Sequence, residues 1–195
     1  MSNKNKTGLF FGSFNPIHTG HMILAEYMVE YTDLKEIWFV VSPQNPLKDK
    51  KNLLADYHRL AMVNIAVEDD ARMRSCNIEF KMHQPSYTID TLAYLDEKYP
   101  DRHFVLIGGT DILPSFHKWK NYKILLDNYT LYIYNRPHYD PGEYRTHPNI
   151  SFFDAPLLEI SASFIRDSIK KRKDIRYMLP PRVYEYIKEM YFYEK

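Results

Sequence analysis

Cysteine is almost absent from this chain of 195 residues: Cys76 stands alone. One thiol makes no internal disulfide and supplies no cysteine-based zinc site or iron–sulfur cluster. That points to a reducing compartment. The start, Met1 to Thr7, is polar and lacks the apolar stretch of a signal peptide. No apolar run approaches the ~20 residues a transmembrane helix needs. These absences predict a cytoplasmic protein without a membrane partner. Charge of one sign is missing too: 26 Lys and Arg face 25 Asp and Glu, a net charge of +1. So even a balance gives no global electrostatic reason to bind nucleic acid. It still leaves room for a local basic pocket around one phosphorylated small molecule. No repeat of about 20 to 50 residues is visible and no Gly/Ser linker divides the chain. At roughly 150 residues per domain, the length predicts a single domain over 1–195, its C-terminal helical part from about residue 160 packed on the rest.

What is present is ordinary for a globular protein: 45% apolar and 26% charged residues. Tyrosine is plentiful at 17 residues, which reads as half-buried aromatic surface. Short apolar runs suit buried strands at Leu9 to Phe11, Glu36 to Val41, His103 to Ile107, Thr130 to Tyr134 and Ile150 to Phe153, with a further short strand near Met73. Helical periods fill the gaps at Thr19–Tyr31, Asp56–Val67, Tyr87–Lys98, Asp111–Phe116, Tyr122–Asn128, Ser161–Lys171 and Pro181–Tyr191. Thr19 and Ser161 are expected caps. Leu60, Val63, Ile65 and Val67 are the expected buried face of the second helix. Strand–helix alternation predicts a parallel sheet with right-handed crossovers and helices on both faces. Ligands bind such sheets beyond the carboxyl ends of the strands, here Gly12, Ser42, Gly108-Gly109 and Asn135-Arg136.

The segment Gly12-Ser13-Phe14-Asn15-Pro16-Ile17-His18-Thr19-Gly20-His21 lies between a buried strand and a helix. Such a loop aims backbone N–H groups and a helix N-terminus at a phosphate. Gly12 lets a ligand approach the main chain, and Gly20 leaves room beside the histidines for a triphosphate. His18 and His21, three apart at a helix start, present both rings towards the loop. A metal pair is the weaker alternative, since no third ligand is near in sequence. The segment is neither a Walker A loop nor a Gly-x-Gly-x-x-Gly fingerprint.

This segment resembles the first motif of the His-x-Gly-His nucleotidyltransferases, a superfamily of Rossmann-like folds. Their second phosphate motif is matched by Ile160-Ser161-Ala162-Ser163-Phe164-Ile165-Arg166. Pro85-Ser86-Tyr87-Thr88-Ile89-Asp90-Thr91-Leu92, Gly109-Thr110-Asp111 and Phe116-His117-Lys118-Trp119 are similar to segments of bacterial nicotinate mononucleotide adenylyltransferases. The resemblance spans roughly Thr7 to Lys171. It departs at Asn45-Pro46-Leu47-Lys48, where Leu47 replaces a usual histidine, and at Ala162, which stands where a serine is frequent.

The resemblance implies transfer of AMP from ATP to the 5′-phosphate of nicotinate mononucleotide. His21, His18 and Arg166 would be catalytic. Gly12, Ser13, Phe14, Lys48, Ile160 and Ser161 would bind ATP and its phosphates. Thr88, Gly109, Asp111, Trp119 and Arg136 would bind the mononucleotide and dinucleotide, with Trp119 stacked on the pyridine ring. Mg²⁺ would be bound through ATP phosphates and water, without a protein cage. Three other readings stay open: nicotinamide mononucleotide as acceptor, phosphopantetheine as acceptor, and a regulatory module that binds nucleotide without turnover. Oligomerisation is possible and is not readable from the sequence.

Overall fold

The computed structural model describes residues 5–43 and 53–194. Six strands form one parallel sheet in the order β3-β2-β1-β4-β5-β6. They are β1 (Asn5–Gly12), β2 (Glu36–Val41), β3 (Met73–Cys76), β4 (Arg102–Gly109), β5 (Thr130–Tyr134) and β6 (Ile150–Phe153). Strand order reverses between β1 and β4, which creates the crevice where doubly wound sheets take ligands. The register pairs Leu9 with Trp38 on one side and with Leu106 on the other.

Seven helices cover the sheet: α1 (Thr19–Tyr31), α2 (Asp56–Val67), α3 (Thr88–Lys98), α4 (Leu113–Phe116), α5 (Tyr122–Asn128), α6 (Ala162–Lys170) and α7 (Pro181–Glu189). Side chains alternate across a strand, and the central strands are apolar on both faces. Phe10, Phe39 and Ile107 point into a core with Leu24 and Met28 of α1, Met62 and Val63 of α2, Ile165 of α6 and Val183 of α7. Leu9, Trp38, Val40 and Leu106 point the other way, onto Leu92 and Leu95 of α3, Phe116 of α4 and Leu125 of α5. The two cores explain why these strands read as continuous apolar runs.

Several details differ from the sequence reading. The buried face of α2 is Arg59, Met62, Val63 and Val67, with Leu60 and Ile65 only partly buried. A short 3₁₀ turn, Ile78–Lys81, follows β3. The last helix stops at Glu189, two residues early. Another 3₁₀ turn, Gly142–Thr146, lies between β5 and β6.

Candidate active site

The loop after β1 is built by packing. Phe14 takes a left-handed backbone conformation (φ 44°) that costs an ordinary residue about 1–2 kcal/mol. Its ring is 2% exposed and meets Phe10 and Phe39 edge-on at 6.1 and 5.5 Å, which holds it there. That ring fills the space a side chain at residue 12 would need, so Gly12 makes room for Phe14. Gly20 serves its neighbour in the same way. A Cβ there would meet the His18 imidazole at 3.1 Å, so its first use is to seat His18. The cap of α1 is His18, not Thr19, which is the first helical residue.

The His18 N–H donates to His21 Nδ1 at 3.2 Å, and the His21 N–H donates to the His18 carbonyl at 2.9 Å. The two rings stack with centroids 3.7 Å apart. Phe10 and Phe14 close around His21, leaving it an opening into the cleft. Burial pushes His18 down to about 4, helped by the Arg136 charge. Burial, then the His18 and Arg136 charges, hold His21 well below its ordinary 6.5. Both imidazoles are therefore neutral at physiological pH. Since His21 Nδ1 accepts from the backbone, its proton sits on Nε2. His21 is a neutral hydrogen-bond donor that needs no titration to act. His18 Nδ1 is buried and without a hydrogen-bond partner among the described residues, as expected of a site that completes itself with a polar ligand.

Behind the loop lies a buried network that the sequence reading missed. Arg59 is 0% exposed. It donates to the carbonyls of Ser13 (2.6 Å), Ser42 (2.8 Å), Pro43 (3.2 Å) and Leu54 (3.1 Å), and pairs with Asp56 at 2.6 Å. It thus ties the loop after β1 to the end of β2. A charged residue at helical spacing with Met62, Val63 and Val67 was the available signal. Asn15, 2% exposed, accepts at Oδ1 from the Leu54 N–H at 3.2 Å.

The Ile160–Arg166 segment arrives on α6. Ser161 caps that helix as expected, its Oγ accepting from the Phe164 N–H at 3.1 Å. Arg166 donates to the Asn15 carbonyl at 2.8 Å and to Ser163 Oγ at 3.2 Å. The first of these bonds joins residues 151 apart in sequence, so the two segments share one wall. Ile160 packs partly buried against the first core.

Across the sheet edge the cleft changes character. Trp119 is half-buried, resting on Phe116 at 5.1 Å, with part of its surface left to the cleft. Asp111 pairs with Arg136 Nε at 3.2 Å, and Arg136 also lies over the Tyr134 ring at 5.5 Å. Both pack close above Gly109, where any Cβ would meet the Asp111 carboxylate at 2.4 Å. Thr88 opens α3, but the cap position is Tyr87 and no side chain caps that helix. Asp90 pairs with Lys120 at 2.7 Å, whose ammonium sits 4.8 Å from the Tyr87 ring centroid. Two further polar residues line this half: Glu79, which the sequence reading did not name, and Ser86 of the Pro85–Leu92 segment. Glu79, 3% exposed, accepts from Thr91 Oγ1 at 2.8 Å, and the buried Ser86 Oγ lacks a partner among the described residues. Lys48 and the departure at Leu47 lie outside the described residues.

One cleft of about 760 Å³ takes in both halves. Gly12, Ser13, His18, His21, Ser161 and Arg166 line it, and so do Thr88, Gly109, Asp111, Trp119 and Arg136. Among the described residues, no group of three or more His, Cys, Asp or Glu side chains could hold a metal ion.

The relatives fit this geometry. A family model described as cytidylyltransferase-like matches residues 9–168. Relatives from Flavobacterium johnsoniae and Christiangramia forsetii are each 51% identical. They cover 97% of this chain and 100% and 98% of their own lengths, and both are named "Probable nicotinate-nucleotide adenylyltransferase". The chain belongs to the nicotinate-nucleotide adenylyltransferase family. Among solved structures, a Plasmodium falciparum nicotinic acid mononucleotide adenylyltransferase complexed with NaAD superposes with a TM-score of 0.81 at 22% identity. The match covers 97% of this chain and 98% of that one. The same Plasmodium enzyme complexed with APC gives a TM-score of 0.80. At that identity the structures establish the shared fold, and the family comes from the sequence relatives. No helix among the described residues is long and apolar enough to cross a membrane.

Proposed function

We propose that this protein transfers AMP from ATP to the 5′-phosphate of nicotinate mononucleotide, giving nicotinate adenine dinucleotide and pyrophosphate. The observation that carries it is one cleft with two unlike halves. His18, His21, Ser161 and Arg166 line one half, and Trp119, Thr88 and Asp111 line the other. The first set suits a triphosphate and the second a flat ring on a ribose. The family membership makes adenylyl transfer the chemistry.

The reaction asks for little proton transfer. An anionic oxygen of the mononucleotide phosphate attacks the α-phosphorus. A new P–O bond forms, the bond to the β-phosphate bridging oxygen breaks, and pyrophosphate leaves with the electron pair. The attacking oxygen is already ionised, so no general base and no covalent enzyme intermediate are required. Positioning and charge stabilisation are what the protein supplies. Neutral His21 donates from Nε2 to an α-phosphate oxygen as negative charge builds there. Arg166 and the N-terminal amides of α6, begun by Ser161, hold the outer phosphates. His18, with Gly12, Ser13 and Phe14 of the loop, shapes the wall against which the triphosphate lies, and Lys48 adds charge to the same phosphates. Adenine lies by Ile160 and the Gly109 strand end.

On the far side, Trp119 stacks on the pyridine ring, Thr88 closes the ring pocket, and Asp111 accepts from ribose hydroxyls. Arg136, now paired with Asp111, turns part of its guanidinium to phosphate when substrate enters. Lys118 and Lys120 flank Trp119 on the cleft wall, which favours a ring bearing a carboxylate over one bearing an amide. Mg²⁺, bound through ATP phosphates and water, would add charge stabilisation at the phosphates, and such binding would need no cluster of protein ligands.

ATP labelled at the α-phosphorus tests the reading. With nicotinate mononucleotide and Mg²⁺, label should pass into a dinucleotide while unlabelled pyrophosphate appears in equal amount. Label transferred only to phosphopantetheine, or ATP bound with no transfer to any acceptor, would overturn it.

A further inference from the structure

We propose that Tyr193, in the tail that follows α7, is a positioning residue for the phosphate loop and acts through Asn15. This rests on the reading above, in which that loop holds ATP. The Tyr193 hydroxyl donates to Asn15 Oδ1 at 2.8 Å, across 178 residues of sequence. Asn15 is the hub of the loop. The same Oδ1 accepts from the Leu54 N–H, and the Asn15 carbonyl accepts from Arg166. One tyrosine hydroxyl therefore sits behind both phosphate motifs at the point where they join.

The tail is shaped to deliver that hydroxyl. Tyr191 and Tyr193 both hold left-handed backbone conformations, φ 53° and 66°. Non-glycine residues stay there only where their surroundings over-determine them, and such residues gather at functional sites. The surroundings here are visible. Phe192 is 9% exposed and packs edge-on against His58 of α2 at 4.5 Å. His58 Nδ1 in turn meets the Tyr186 hydroxyl of α7 at 3.0 Å. Phe192 thus anchors the tail on α2, and the left-handed residues on either side turn the Tyr193 ring inwards. Burial pushes the Tyr193 hydroxyl up from its ordinary value, so it stays protonated and remains a donor at every working pH.

Tyr193→Phe removes the hydroxyl and keeps the ring. ATP affinity, measured by calorimetry without mononucleotide, should weaken about two- to tenfold, the range one hydrogen bond supplies. The melting temperature should fall by no more than about 4 °C, the cost of one hydrogen bond in a chain of this size, and KM for the mononucleotide should not move. Hydrogen exchange should quicken in the 11–18 segment and stay unchanged in β4. Unchanged ATP affinity with unchanged exchange in that segment would overturn the proposal. So would a uniform loss, with both KM values shifting and the melting temperature falling further, since that marks a merely structural tyrosine. The exchange readout needs no substrate, so it decides the Tyr193–Asn15 link even if the wild-type chain fails to bind ATP, an outcome that would count against the proposed function instead.

Discussion

The two halves of the cleft are built to different rules. The half lined by His18, His21 and Arg166 is over-determined. Loop residues 13–15 are tied from behind by Arg59, Arg166, Leu54 and Tyr193, and Phe14 is wedged between two aromatic rings. The half lined by Trp119 and Asp111 is looser. Trp119 is backed by one ring, and its charged neighbours are held by partly exposed pairs, Asp111–Arg136 and Asp90–Lys120. The difference follows from the chemistry. Stabilising charge at phosphorus needs donors fixed before the reaction starts. Choosing a ring needs a surface and a few polar contacts, and the exposed pairs there can exchange partners at little cost.

That contrast can be broken in order of expected size. Removing the donor in the rigid half should do most. His21→Ala should lower kcat about 10²- to 10³-fold with KM for the mononucleotide nearly unchanged. Steady-state kinetics with each substrate varied will show it, and a loss under about tenfold would remove His21 from the transition state.

Next comes the buried staple. Arg59→Met deletes a charge that serves four carbonyls and one carboxylate. The orphaned groups should cost about 3 kcal/mol or more in denaturant unfolding. A cost near zero would mean that the loop holds itself.

The histidine pair supplies a pH test. Unfolded His18 binds a proton near 6.5, while folded His18 resists it down to about 4. The unfolded state therefore binds more protons between those values. The stability His18 contributes is complete above pH 6.5 and drains away as pH falls towards 4. His18→Asn should flatten that slope. An imidazole signal from His18 titrating near 6.5 in the folded protein, seen by NMR, would contradict the burial argument.

The smallest effect belongs to the looser half. Trp119→Ala should raise KM for the mononucleotide about tenfold, the value of one lost stacking platform. KM for ATP should stay put, and Trp119→Phe should recover part of the loss. Equal damage to both KM values would show that the halves are not separable.

Much of this was legible before the structure. Strands with apolar residues on both faces and helices with a clear period announced a doubly wound sheet, and β1, β4 and β5 place their polar ends where expected. That the loop after β1, the start of α6 and Trp119 line one cleft was legible because each belongs to a contiguous motif. Arg59 and Tyr193 were not, because what defines them is long-range. Arg59 serves carbonyls, which carry no side-chain signature, and Tyr193 meets its partner only once α7 has docked. Gly12 and Gly20 were seen as important for a different reason from the one found. Sequence shows that a side chain is missing there, and only packing shows that Phe14 and His18 take the space.

The central claim is that the rigid half performs adenylyl transfer while the looser half selects the acid ring. It is tested most directly by kcat/KM for nicotinate mononucleotide against nicotinamide mononucleotide, with ATP and Mg²⁺ saturating and dinucleotide quantified. The account predicts turnover with a large preference for the nicotinate form. Equal use of both, or preference for the amide, would contradict it.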